Sequence, residues 1–115
     1  MRPAIFFDRD GIINKPRVIK GKPYSPRSVS EFDLIVESKL LVELARSLGF
    51  MTFVITNQPE IARGTLTQHE VEKMHQLMID EMTFEAVYVC PHDEFDGCDC
   101  RKPAPGMLFK AAEEF

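Results

Sequence analysis

Two aspartates one residue apart, Asp8 and Asp10, close the apolar run of residues 4–7 and are followed at once by Gly11. Side chains alternate along a strand, so both carboxylates can enter one space where the strand ends. Glycine then lets the chain turn without a steric penalty. One carboxylate can attack an electrophile while the other handles protons, provided a metal ion or a basic group offsets their repulsion. Taken alone, Asp8-Arg9-Asp10-Gly11 is equally the solvated end of a strand; distant residues give it a chemical meaning.

Those residues lie in two further polar segments. The hydroxyl of Thr56 and the amides beside it can donate to a phosphate. Asn57 adds an amide donor or holds the neighbouring loop. Lys102 supplies the positive charge that the carboxylate pair lacks, and Arg101 can grip a planar anion through two nitrogens. Together these groups point to phosphoryl transfer through an enzyme carboxylate. Asp8 attacks phosphorus and forms an aspartyl phosphate; Asp10 protonates the leaving oxygen and then activates water. Mg²⁺ at Asp8 and Asp10 screens the phosphate from the nucleophile. Thr56 and Lys102 hold the phosphoryl oxygens.

All three cysteines, Cys90, Cys98 and Cys100, fall in one short segment that also carries His92. An odd count with a nearby histidine suits a metal cluster better than a disulfide scaffold. Three sulfurs and an imidazole can close a tetrahedral zinc site, and four protein ligands leave no open position for water. The expected zinc is therefore structural, stapling the loop that leads into Arg101 and Lys102. His69 and His75 are six positions apart and lack the one-turn spacing of a metal pair, so both read as solvated or partly packed helix positions. A basic segment, Lys15, Arg17, Lys20, Lys22 and Arg27, is suited to attracting a phosphorylated small molecule.

The elements that must position these groups follow from periodicity. Residues 4–7, 51–55 and 86–90 read as short buried strands. Residues 14–31 have the glycines, prolines and charges of a long loop with a short extended piece. A helix is expected over 37–48, its apolar stripe made by Leu40, Leu41, Leu44 and Leu48, with Gly49 ending it. Thr67 and Glu70 form a capping box; Leu66 staples onto Val71, and Val71, Met74, Met78 and Met82 line the inner face of the helix that follows. Another helix starts at Pro105 or Gly106. Strand, helix, strand, helix, strand is most economically a parallel α/β sheet, whose ligands gather beyond the carboxyl ends of the strands.

With 115 residues the chain is one domain by size. A net charge of −4 argues against a general nucleic-acid surface, and there is no apolar stretch long enough for a membrane. The basic start, Met1-Arg2-Pro3, is followed by a hydrophobic run that Asp8 interrupts, which argues against a signal peptide. The expectation is a cytoplasmic protein with a phosphorylated small-molecule partner and neither nucleic acid nor membrane. Its oligomeric state is left open.

Phe7-Asp8-Arg9-Asp10-Gly11-Ile12-Ile13-Asn14, Thr56-Asn57-Gln58, Ile61-Ala62-Arg63-Gly64, Cys90-Pro91-His92 and Cys98-Asp99-Cys100-Arg101-Lys102-Pro103 together resemble the haloacid dehalogenase superfamily of phosphatases. Within it they are similar to the branch of heptose-bisphosphate and histidinol-phosphate phosphatases. The resemblance implies a three-layer Rossmann-like parallel sheet over residues 1–115, with a zinc-stapled loop. It implies Asp8 as nucleophile, Asp10 as acid and base, Thr56 and Lys102 as phosphate-site residues, and Asn57, Arg63 and Arg101 near substrate. Mg²⁺ is held at Asp8 and Asp10, the latter through its main-chain carbonyl, and Zn²⁺ by Cys90, His92, Cys98 and Cys100. Ile61-Ala62-Arg63-Gly64 and Pro105-Gly106-Met107 favour a heptose 1,7-bisphosphate over histidinol phosphate or another sugar phosphate. Phosphotransfer to an alcohol and a non-catalytic, zinc-stabilised phosphate-binding or interaction domain are the competing functions. Two departures stand out. Pro59-Glu60 replaces a small residue and glycine, so this loop is expected to alter substrate choice. The family pattern also continues past Phe115 into further strands and an acidic fourth motif, so the core is expected to be incomplete at its C-terminal side.

Overall fold

The computed structural model describes residues 2–115, so Met1 of the basic N-terminal stretch lies outside the described residues. In chain order the elements are β1 (Ala4–Asp8), β2 (Arg17–Ile19), β3 (Lys22–Tyr24), α1 (Val36–Ser47), β4 (Met51–Asn57), α2 (Glu60–Arg63), α3 (Gln68–Glu81), β5 (Ala86–Cys90) and α4 (Gly106–Glu114). The three apolar runs form a parallel sheet in the order β1-β4-β5. Its register sets Phe7 opposite Val54, Asp8 opposite Ile55, and Asn57 opposite Cys90.

Alternation along the strands divides the core in two. Phe7 and Val54, with Ile5, Val87 and Val89 beside them, meet Val42 and Ala45 of α1 and Val71, Met74 and Met78 of α3. On the opposite face Phe53, Ile55 and Tyr88 meet Met107 and Ala111 of α4. Phe53 stacks on Phe6 at 4.9 Å and meets the edge of Phe115 at 5.2 Å. Helices on both faces of a parallel sheet make the expected three-layer α/β arrangement. No helix among the described residues is long and apolar enough to cross a membrane.

Helix α1 corrects the expected leucine stripe. Its buried residues are Ser38, Val42 and Ala45, whereas Leu40, Leu41, Leu44 and Leu48 are all exposed. The buried positions are four and three apart and form one face by themselves. Small side chains there bring the helix close to the core, where the Ser38 hydroxyl donates to the Ile12 carbonyl. Gly49 ends the helix as expected, in the left-handed region at φ 93°.

The expected long loop over 14–31 is more ordered than its composition implied. Residues 17–24 make an antiparallel hairpin, β2 against β3, and Val29–Glu31 is a single 3₁₀ turn. Ahead of α3, Thr67 accepts from the Glu70 amide at 3.1 Å, and Leu66 and Val71 are buried as a staple requires. The reciprocal half of the capping box is absent. The Glu70 carboxylate instead accepts from the Val29 amide at 3.0 Å, satisfying a donor at the start of the 3₁₀ turn.

Candidate functional site

The turn after β1 is built on one carbonyl. Arg9 O accepts from the amides of Ile12, Ile13 and Asn14 at 3.2, 2.8 and 3.2 Å, and Gly11 supplies the positive φ of 91° that this path requires. Asp8 stands at the end of the strand and Asp10 inside the turn. The Arg9 side chain between them is fully buried. Its Nε and Nη2 donate to Asp10 Oδ1 at 3.1 and 2.8 Å, and its guanidinium lies 5.3 Å from the centre of the Phe32 ring. Its remaining terminal nitrogen, Nη1, is 3.2 Å from His75 Nε2.

Asp10 is gripped from both sides. Oδ1 also accepts from Asn14 Nδ2 at 3.0 Å, while Oδ2 accepts from Ser25 Oγ at 2.7 Å and Gln58 Nε2 at 2.9 Å. Burial opposes the charge, but the Arg9 guanidinium and the hydrogen bonds from Ser25, Arg9 and Asn14 hold the carboxyl below the usual carboxylate range. Asp8 is exposed by comparison and is ion-paired with Lys102. Lys102 Nζ also donates to the Ile55 carbonyl at 3.2 Å.

The strand ends bring the other expected residues to this pair. Thr56 is buried, and its Oγ1 accepts from the same Gln58 amide nitrogen at 2.8 Å. Asn57 brackets the backbone of Lys102, donating to its carbonyl at 3.2 Å and accepting from its amide at 2.9 Å. At the carboxyl ends of β1 and β4 these residues form two hydrogen-bonded sets, Asp10 with Thr56 through Gln58, and Asp8 with Asn57 through Lys102. Arg101 lines a 280 Å³ cavity with Asp93, Glu94 and Lys102, and its buried Nη1 has no hydrogen-bond partner. Arg63 is joined instead to Asp93 on the loop after β5, and that contact holds the Asp93 carboxyl below its ordinary range. Much of the basic segment is likewise neutralised: Lys15 pairs with Asp33, Arg17 with Glu31, and Arg27 with Glu60.

Beyond β5 the chain gathers a second constellation. Cys90, His92, Cys98 and Cys100 have their ligand atoms within 4.8 Å of one another, and the three cysteines are free thiols. Cys90 Sγ lies 2.8 Å from Cys100 Sγ and 3.6 Å from Cys98 Sγ; His92 Nδ1 lies 3.2 Å from Cys100 Sγ. Tetrahedral metal–sulfur bonds of about 2.3 Å set ligand atoms roughly 3.8 Å apart, so this donor set has the composition and nearly the dimensions of a metal centre. Burial and the neighbouring Cys90 and Cys98 sulfurs push the Cys100 thiol up to about 12. Burial also opposes ionisation of Cys98, but the Arg101 amide and the adjacent thiols bring it down to about 7. Gly106 fixes the loop to α4: its amide donates to Asp99 O at 2.8 Å, and an added Cβ would fall 2.4 Å from that oxygen.

Five residues of the Asp10 surroundings were not assigned a role from the sequence: Arg9, Asn14, Ser25, Gln58 and His75. His75, expected to be solvated or partly packed, is buried. Its signal was present, because position 75 lies within the inner stripe marked by Val71, Met74 and Met78. Arg9, Asn14 and Gln58 sit inside the family motifs, but only a folded structure reveals that their side chains turn toward Asp10. Nothing in the sequence around Ser25 marks it.

The chain is similar to phosphatases of heptose bisphosphates. The D-glycero-alpha-D-manno-heptose-1,7-bisphosphate 7-phosphatase of Campylobacter jejuni is 36% identical over 117 residues, covering 97% of this chain and 63% of that protein. The probable D-glycero-D-manno-heptose-1,7-bisphosphate 7-phosphatase of Thermoplasma volcanium is 31% identical over 117 residues, covering 97% of this chain and 76% of that protein. The crystal structure of D,D-heptose 1.7-bisphosphate phosphatase from B. bronchiseptica, complexed with magnesium and phosphate, matches with a TM-score of 0.79 at 27% identity. That match covers 97% of this chain and 63% of the other, so the chain spans less than two thirds of both the C. jejuni and the B. bronchiseptica proteins. No protein-family model matches it.

Proposed function

Because this chain belongs to the haloacid dehalogenase superfamily, in the family of D-glycero-D-manno-heptose-1,7-bisphosphate 7-phosphatases, we propose that it hydrolyses a phosphomonoester through Asp8. The substrate in this reading is a heptose 1,7-bisphosphate, which loses its 7-phosphate. The observation that carries it is that Asp8 and Asp10 lie at and just beyond the end of β1 and Thr56 near the end of β4, with Gln58 joining Asp10 to Thr56 and Lys102 paired with Asp8. In this reading residues 1–115 are a partial phosphatase core, and a cytoplasmic location suits a soluble sugar phosphate.

An Asp8 oxygen attacks phosphorus, the bond from phosphorus to the sugar oxygen breaks, and Asp10 gives its proton to that oxygen. In the second half Asp10 takes a proton from water as the water oxygen attacks phosphorus, and the Asp8 carboxylate is released. The cage around Asp10 holds it ionised, which suits the second half. A phosphate entering beside it adds negative charge and raises its proton affinity, loading it for the first half. Lys102 moves its charge from Asp8 to the phosphoryl oxygens, and Thr56 and the neighbouring amides orient them. Arg101 and Arg63 are assigned to the rest of the substrate.

The oxygen donors fit Mg²⁺. The Asp10 carboxylate is committed to its surrounding donors, whereas the Asp8 carboxylate is an exposed hard donor held, among the described residues, by Lys102. Asp8 would hold the ion through its side chain and Asp10 through its main-chain carbonyl. When bound, Mg²⁺ supplies charge neutralisation between carboxylate and phosphate. The sulfur-rich group fits Zn²⁺, with Cys90, His92, Cys98 and Cys100 as ligands and a purely structural role for the ion.

Phosphate release from heptose 1,7-bisphosphate, measured with Mg²⁺ and with excess chelator, tests the reading in wild type and Asp8→Asn. A loss of at least about 10³-fold is expected in the variant. Activity retained by Asp8→Asn overturns the covalent route. Release from histidinol phosphate but not from the heptose transfers the substrate to the competing branch.

A further inference from the structure

Ser25 and Gln58 reach the same atom, Asp10 Oδ2, from two different walls. One wall is the segment leaving β3, the other the segment leaving β4. Two residues further along each, the walls meet: Arg27 Nε and Nη2 donate to Glu60 Oε1 at 2.9 and 2.7 Å. Glu60 is buried, and the neighbours Pro26 and Gln58 are fully so. Two charge-assisted bonds onto one oxygen of a buried acid are more restraining than an ordinary surface ion pair. The hairpin of β2 and β3 forms its own sheet and has no strand pairing with the central one. Among the described residues, Arg27–Glu60 is the polar side-chain link between this wall and the loop after β4, apart from their shared grip on Asp10.

We propose that Arg27 and Glu60 form a clasp that holds the two walls at the spacing the Asp10 carboxylate requires. Both are positioning residues for the proton-transfer step, not substrate ligands, and the inference rests on the reading of Asp10 as acid and base. Glu60 keeps Arg27 occupied, and Arg27 aligns Ser25 against Gln58 across Asp10. The Pro59-Glu60 departure thus acts on the geometry of the reacting centre. A small displacement of a group that aligns a catalytic residue is enough to slow turnover by an order of magnitude or more.

The test compares Glu60→Gln, Arg27→Gln and the swapped pair Arg27→Glu with Glu60→Arg, using phosphate release with Mg²⁺. Each single change is expected to lower kcat by about tenfold with KM held within about twofold, and the swap to recover most of the loss. If Arg27 is instead an anion site masked by Glu60, Glu60→Gln lowers KM, and the clasp is wrong. A second readout needs no turnover: hydrogen exchange of the Gln58 side-chain amide by NMR. Exchange is expected to be at least about tenfold faster in Glu60→Gln and slow again in the swap. Unchanged Gln58 exchange, or a kcat defect that the swap leaves in place, overturns the proposal. If wild type releases no phosphate, the hydrolase reading fails while Gln58 exchange still decides the clasp.

Discussion

Replacing His75 by glutamine separates a titration from a hydrogen bond. Arg9 has only donors, so the short contact from its Nη1 makes His75 Nε2 an acceptor, with the ring neutral and its proton on Nδ1. Burial removes water from an imidazolium, and the Arg9 charge repels it. Asp10 offsets only part of this, and the His75 pKa falls from the ordinary 6.5 to about 4. The unfolded chain therefore takes up this proton near pH 6.5 and the folded chain only near pH 4. Between those values the unfolded state binds more protons, so stability is complete above about pH 6.5 and falls as the pH is lowered. A depression of this size corresponds to about 3 kcal/mol when the interval is fully crossed, and to about 2 kcal/mol between pH 7 and pH 5. Glutamine can still accept from Arg9 but does not titrate. Urea unfolding of wild type and His75→Gln at both pH values isolates the effect, because every other side chain is common to the two proteins. Wild type should lose about 2 kcal/mol more than the variant on acidification. Equal losses would refute the assignment of a buried neutral imidazole facing Arg9.

Four other outcomes follow from packing, charge and metal binding. Val42→Ala should cost about 2 kcal/mol in urea unfolding because it empties a buried site, whereas Leu44→Ala on the exposed side of α1 should stay within about 0.5 kcal/mol. Arg9→Met leaves the buried Asp10 charge without its cation and should cost about 3–5 kcal/mol, with a loss that shrinks when Asp10→Asn is added. Cys100→Ser should lower zinc content, measured by elemental analysis, from one ion per chain and speed proteolysis of the loop ending at Lys102. Gly106→Ala should weaken zinc retention in the same direction, since its methyl group collides with Asp99 O.

Local patterns were readable wherever a residue's role depends on near neighbours. The strand endings at Asp8 and Cys90, the Thr67 cap, the methionine face of α3 and the cysteine-histidine cluster all rest on spacings of a few residues. Such spacings translate directly into geometry through the periods of strand and helix. The family, and with it the expected chemistry of Asp8, Asp10, Thr56 and Lys102, was legible for the same reason: each motif is short and continuous.

Tertiary packing decided the matters in which one group has several possible partners. By hydrophobicity alone Leu40, Leu41, Leu44 and Leu48 outweigh Ser38, Val42 and Ala45, yet the smaller set faces the core because it permits close approach. Glu70 could have closed its own capping box but meets Val29. Arg27, expected to attract phosphate, is held by Glu60, and Arg9 turns from solvent to bridge Asp10 and His75. A buried charge must find its partner among whatever the fold brings within hydrogen-bond reach, and that choice depends on residues tens of positions away. The sequence alone determined which chemical groups stand at the strand ends. The three-dimensional structure determined which of them are neutralised, which are held in place, and by what.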